Sequence, residues 1–177
     1  MAESLARKQR IGLVGAAAAF LALFLLFHFA PRLFAGVKLP SDDPASRLAY
    51  AARWLLAPGV TLLAGVWAAA RRGFLPDAVD GTRTPLSHSL EINLRYNRNT
   101  LEQTMLASIA WLGLSLALPR DRLCLIPAMA VAFVLGRITF WIGYLVHPMG
   151  RAFGMTLTAV PSVAAYGWLL WRLLARG

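Results

Sequence analysis

Apolar residues in this chain come in long blocks rather than in alternation. The blocks run Ile11 to Ala30, Leu48 to Ala70, Thr100 to Leu118, Leu123 to Val146 and Ala152 to Trp171. Crossing the hydrocarbon core takes about 20 helical residues, so each block predicts one membrane-spanning helix. None shows the period-two alternation that a membrane β-strand needs. Pro31, Pro40 with Pro44, Pro76 with Gly81 and Pro85, Pro119, and Pro148 with Gly150 fall at or between the block ends, where helices stop. Pro58 and Pro161 lie inside blocks and predict kinks. The third helix is preceded by the polar run Arg95 to Gln103, and with that run its start moves back to about residue 93.

Composition agrees with the pattern. Of 177 residues, 58% are hydrophobic and 15% charged, against roughly 25% charged in soluble domains. The fold class is therefore an all-α integral membrane protein. The basic cluster Arg7, Lys8 and Arg10 precedes an apolar run too long for a signal peptide and followed by no clear cleavage site, so a retained helix is expected. The single cysteine, Cys124, excludes an internal disulfide and a thiolate metal cluster. His28, His88 and His147 lack metal-ligand spacing, so no metal is expected.

A net charge of +10 would suggest nucleic acid in a soluble protein. In a membrane protein it reflects topology and lipid headgroups instead, and no nucleic-acid partner is expected. With the N-terminus inside, nine Lys and Arg lie inside and eight outside, and Arg137 belongs to neither side. The cluster beside the first helix favours an inside N-terminus. With one crossing per helix, the loop before the third helix and the loop between the fourth and fifth share a membrane face. Arg95 and Arg98 can thus share a site with Arg151.

At about 100° per residue, Arg95, Asn99 and Glu102 lie on one stripe of the third helix, with Arg98 beside Glu102. On the fourth helix, Arg137, Phe140, Trp141 and Tyr144 share a face. Arg137 lies about 14 Å from the end of its helix, and Glu102 about one turn inside the start of its own. The spacing predicts a buried Arg137 to Glu102 pair. Guanidinium groups match carboxylates, Glu102 matches an ammonium, and Asn99 matches a peptide group. A small zwitterionic peptide with more than one carboxylate, such as glutathione, complements this set, and anionic lipid headgroups do so nearly as well.

Three ordered motifs sharpen the reading: R-Y-N-R-N-T-L-E-Q at 95–103, G-R-I-T-F-W-I-G-Y at 136–144 and P-M-G-R-A-F-G at 148–154. Together they resemble the MAPEG superfamily, the membrane-associated proteins of eicosanoid and glutathione metabolism. The resemblance covers Leu90 to about Pro161, and the helix from Leu48 to Ala70 by position only. It implies a four-helix bundle, with helices at about 48–70, 93–118, 123–146 and 152–173, assembled as a homotrimer in membrane lipid. Residues 46–177 would form that domain, and residues 1–45 an extra N-terminal helix at about 11–31 with its loop.

The resemblance further implies that glutathione is co-substrate, bound by Arg95, Arg98, Asn99, Glu102 and Tyr144. Arg137 would brace the pocket, and Arg151 would be catalytic, stabilising the thiolate for attack on a lipophilic electrophile or peroxide. Asn97 and Phe140 depart from residues that commonly contact glutathione in relatives. A non-catalytic scaffold or lipid-binding protein of the same fold is the alternative. A bacterial-type inner membrane with the site on the cytoplasmic side is expected.

Overall fold

The computed structural model describes residues 4–81 and 87–175. Arg83 and Pro85 lie outside the described residues. The described elements are helices α1 (Leu5–Leu33), α2 (Pro44–Trp54), α3 (Leu56–Ala70), α4 (His88–Ala117), α5 (Leu125–Val146) and α6 (Ala152–Leu174). Single 3₁₀ turns follow α3 and precede α5.

Local chemistry sets these boundaries. Asp43 caps α2, its Oδ1 accepting from the Ser46 amide at 2.8 Å, and Pro44 occupies the first turn, where a missing N–H costs nothing. Pro58 cannot donate to the carbonyl of Trp54 and its ring crowds that carbonyl, so the helix breaks at Leu55. The second apolar block is therefore a broken span, Pro44–Phe74, and starts earlier than residue 48.

Helix α4 departs most from expectation. Ser87 caps it, accepting from the Leu90 amide at 3.4 Å, so the polar run lies well inside a helix of 30 residues. Such a helix is about 45 Å long, and the hydrocarbon core is only about 30 Å thick. Its first turns extend beyond the apolar zone. Four other spans are long and apolar enough to cross a membrane. With α4 packed among them, the chain is a multi-pass membrane protein.

The core joins α2, α4, α5 and α6 through Tyr50, Ala107, Trp111, Met129, Phe133 and Ala165. Trp111 and Phe133 meet edge to face at 6.3 Å. Helices α5 and α6 approach so closely that a Cβ on Gly136 would lie 2.7 Å from Thr158 Cγ2 and 2.9 Å from the Gly154 carbonyl oxygen. Gly143 and Gly150 make a second close contact nearer the turn. Helix α1 lies outside this core against α5 and α6. Its Gly12 and Gly15 face Met149 and Phe153, while Ala19 and Leu23 pack on Ala132 and Leu157.

Candidate functional site

The turn from α5 to α6 is tight, with the Gly150 amide donating to the His147 carbonyl at 2.8 Å and the Ala152 amide to the Met149 carbonyl at 3.1 Å. It brings Arg151 back over Tyr144, so that the guanidinium carbon lies 4.7 Å from the ring centroid. From α4, Arg95 Nη1 donates to the Tyr144 hydroxyl at 3.0 Å, and Arg95 Nη2 donates to Glu91 Oε1 at 2.5 Å. Tyr144 accepts from Arg95 and so keeps its own proton to donate.

These groups surround a cavity of about 400 Å³ lined by Arg95, Asn99, Phe140, Tyr144, Arg151 and Met155. Two guanidiniums, a phenol and an amide face one space, and no carboxylate is among the lining residues. The cavity opens on the membrane face that carries the start of α1. Of the positions singled out in the sequence, the fold therefore gathers Arg95, Asn99, Tyr144 and Arg151.

Arg137 lies beneath the cavity and is fully buried. Its Nη1 donates to Asn99 Oδ1 at 2.7 Å and its Nη2 to Thr158 Oγ1 at 2.6 Å. The guanidinium carbon lies 4.6 Å from the Phe140 ring and 5.8 Å from the Phe133 ring. The expected Arg137 to Glu102 pair does not form. Glu102 is three residues beyond Asn99, which turns it about 60° around α4. It lies on an exposed face, where Oε1 is 3.5 Å from Arg98 Nε. Within one chain neither Arg98 nor Glu102 is among the residues lining the cavity.

Four contributors were not singled out in the sequence. Glu91 was legible as the carboxylate one turn before Arg95, and Met155 as the residue one turn after Arg151. Thr158 and Phe133 carry no sequence signal beyond lying in apolar helices. Asn97 turns the other way, its Oδ1 about 3.0 Å from where a Cβ on Gly65 of α3 would stand. Further along, the Trp141 indole N–H donates to Asn93 Oδ1 at 2.9 Å and Tyr96 stacks on Trp141 at 4.9 Å, fixing α4 against α5.

A helical bundle with a cationic cavity at one membrane mouth, braced by a buried arginine, defines a polytopic membrane protein. The MAPEG family matches residues 11–171, and the chain belongs to it. No curated protein and no solved structure matches the chain.

Proposed function

We propose that this protein is a glutathione-dependent transferase or peroxidase of the membrane, with Arg151 holding the thiolate. The observation that carries the reading is the convergence of Arg95, Tyr144 and Arg151 on one cavity without a lining carboxylate. A free thiol has a pKa near 8.5, the thiolate is the nucleophile, and an adjacent cation favours it. Arg95 and Asn99 suit a carboxylate and a peptide group of the tripeptide. The Tyr144 hydroxyl is free to donate to the sulfur or to a second carboxylate. Its ring lies under Arg151 and favours a guanidinium position over the cavity.

In the transferase reaction the sulfur forms a bond to an electrophilic carbon, and the leaving group departs or the adduct takes up a proton. With a peroxide, the thiolate attacks oxygen and the O–O bond breaks to give an alcohol. A second glutathione thiol then forms the disulfide and water. Phe140 and Met155 give the cavity an apolar wall, suited to a lipophilic partner.

Arg98 and Glu102 face outward from α4, so they would meet glutathione only across a boundary with another copy. A homotrimer with the ligand between subunits gives both a role, Glu102 supplying the carboxylate that an ammonium requires. By the excess of Arg7, Lys8 and Arg10 at the start of α1, we assign the cavity face to the cytoplasmic side. We also assign residues 1–45 as an addition to a four-helix unit at 46–177, supported by the packing of α1 outside the core. The family match spans both segments, so this is a division of packing and not of family.

The same apolar wall favours the second reading, a non-catalytic scaffold that presents lipid. Titration calorimetry of the detergent-purified protein with glutathione, read together with ultraviolet absorbance of the bound thiolate, separates the two. Binding with a thiolate signal that disappears in Arg151→Ala is the expected result. No binding at millimolar glutathione would overturn the transferase reading.

A further inference from the structure

On the membrane face opposite the cavity, two arginines converge on the last turn of α4. Arg47 is nine-tenths buried, and its Nη1 donates to the carbonyls of Ser115 at 3.1 Å and Leu118 at 2.7 Å. Its Nη2 donates to Asp42 Oδ1 at 2.6 Å, while its Nε is buried without a partner. From α6, Arg172 donates one N–H to the Ala117 carbonyl and lies 5.2 Å over the Trp168 ring. That single bond leaves most of the Arg172 fork free. The groove between these groups has a volume of about 700 Å³.

Leu118 and Trp168 form the floor of this groove and also the entrance of a second, apolar cleft of about 310 Å³. The cleft is lined by Phe27 of α1, Leu114 of α4, Leu125 and Met129 of α5, and Ala164 and Pro161 of α6. Trp168 to Pro161 spans seven residues, about 10 Å of helix. That depth stays within one leaflet, whose hydrocarbon half is about 15 Å thick. A polar groove at the interface, belted by Trp168 and Trp171, thus continues into an apolar slot pointing toward the bilayer centre.

We propose that this composite groove holds one phospholipid, its phosphodiester on Arg172, an ammonium on Asp42, and one acyl chain in the apolar cleft walled by α1, α4, α5 and α6. The charge pattern selects the headgroup. Two guanidiniums and one carboxylate face the groove, so a purely anionic headgroup would meet Asp42 unfavourably. A phosphoethanolamine headgroup satisfies both signs, and its ammonium can donate to Asp42 where a choline cannot. An apolar slot that an acyl chain fills is stabilised by contacts an empty one lacks. The site is separate from the thiol cavity and does not depend on its chemistry.

The test is native mass spectrometry of the full chain released from detergent with added phosphatidylethanolamine or phosphatidylcholine of identical acyl chains. The expected result is preferential retention of phosphatidylethanolamine on the unmodified protein. Arg172→Gln should reduce that retention on the order of tenfold, the effect of one charge-assisted hydrogen bond. Arg172→Lys should restore part of it. Ala164→Phe, at an exposed position in the cleft wall, should displace the chain without disturbing the core. Asp42→Asn should remove the preference between the two lipids. Circular dichroism of each variant separates lost binding from lost folding.

Equal retention by folded Arg172→Gln and Ala164→Phe would overturn the site and leave ordinary annular lipid. Equal retention of the two lipids by the unmodified protein would overturn the headgroup assignment. Binding of free phosphoethanolamine as tight as that of the lipid would overturn the role of the acyl chain.

Discussion

Replacing Arg137 should cost less than replacing the neutral residues that hold it. The guanidinium is fully buried, with charge-assisted hydrogen bonds of 2.7 Å to Asn99 and 2.6 Å to Thr158 and rings at 4.6 and 5.8 Å. Hydrogen bonds to a charged group contribute about 1.5–3 kcal/mol each, and a desolvated cation–π contact up to about 2 kcal/mol. Burying the charge costs several kcal/mol, and the Nε without a partner adds to that cost. The opposing terms nearly cancel. Arg137→Met, similar in length and apolar, is expected to change stability by no more than about 2 kcal/mol, in either direction.

Asn99→Leu removes an acceptor and leaves the cation behind, which should cost about 3–5 kcal/mol. The double variant should then recover most of that loss, because the charge that suffered is gone. Thermal and denaturant unfolding of the four proteins in one detergent gives the cycle. If Arg137→Met is as damaging as Asn99→Leu and the two losses add, the account of a self-balancing buried cation is wrong. Glu102→Gln provides a direct check. It should leave stability unchanged within about 0.5 kcal/mol, because Glu102 is exposed and its ion pair is with exposed Arg98.

Three further outcomes are expected. Gly154→Ala would press a methyl group against the Gly136 carbonyl and the Phe140 backbone, forcing α5 and α6 apart. It should destabilise by about 1–3 kcal/mol and reduce turnover on the order of 100-fold by displacing Arg151 from Tyr144, seen in melting and initial-rate assays. Tyr144→Phe removes the acceptor for Arg95 but keeps the ring under Arg151. Glutathione affinity should weaken about five- to tenfold by calorimetry, with the melting temperature little changed. At Asp43, the Ser41 hydroxyl and then the Ser46 hydroxyl and amide hold the carboxyl well below the usual carboxylate range. Its contribution to the α2 cap is therefore complete above the ordinary carboxylate pKa of about 3.9 and lost as pH falls below it toward the depressed value. Asp43→Asn, an equally good cap, should remove that part of the acid dependence of helicity measured by circular dichroism.

Individual residues show where sequence reading reached and where it stopped. The turn at Pro148 and Gly150 was legible, and with it the sharing of a site by Arg95 and Arg151, but Arg98, expected there too, does not line the cavity. The break in the second span was placed correctly at Pro58 in kind, because proline acts on its own helix. The extension of α4 back to His88 was missed, since polar residues within a helix carry no apolar signal. Arg137 was recognised as buried, but its partner was misassigned. Helical spacing puts Asn99 and Glu102 on the same broad stripe, and only the rotation of α4 against α5 decides which of them points inward. Thr158, on a helix reached through a turn, could not be paired with Arg137 from spacing at all.

The sequence by itself determined the all-helical membrane class, the family and the gathering of Arg95 and Arg151 at one end of the bundle. These depend on segment length, breaker positions and short motifs, all of which act locally along the chain. The tertiary structure alone decided the partner of the buried arginine, the outward turn of Arg98 and Glu102, the docking of α1 on α5 and α6, and the groove at Arg47 and Arg172. Each of these depends on how far one helix is rotated and how closely it approaches another. Between α5 and α6 that approach is set by Gly136, Gly143, Gly150 and Gly154. Their contribution is the space left by an absent side chain, which becomes visible only when the opposing helix is in place.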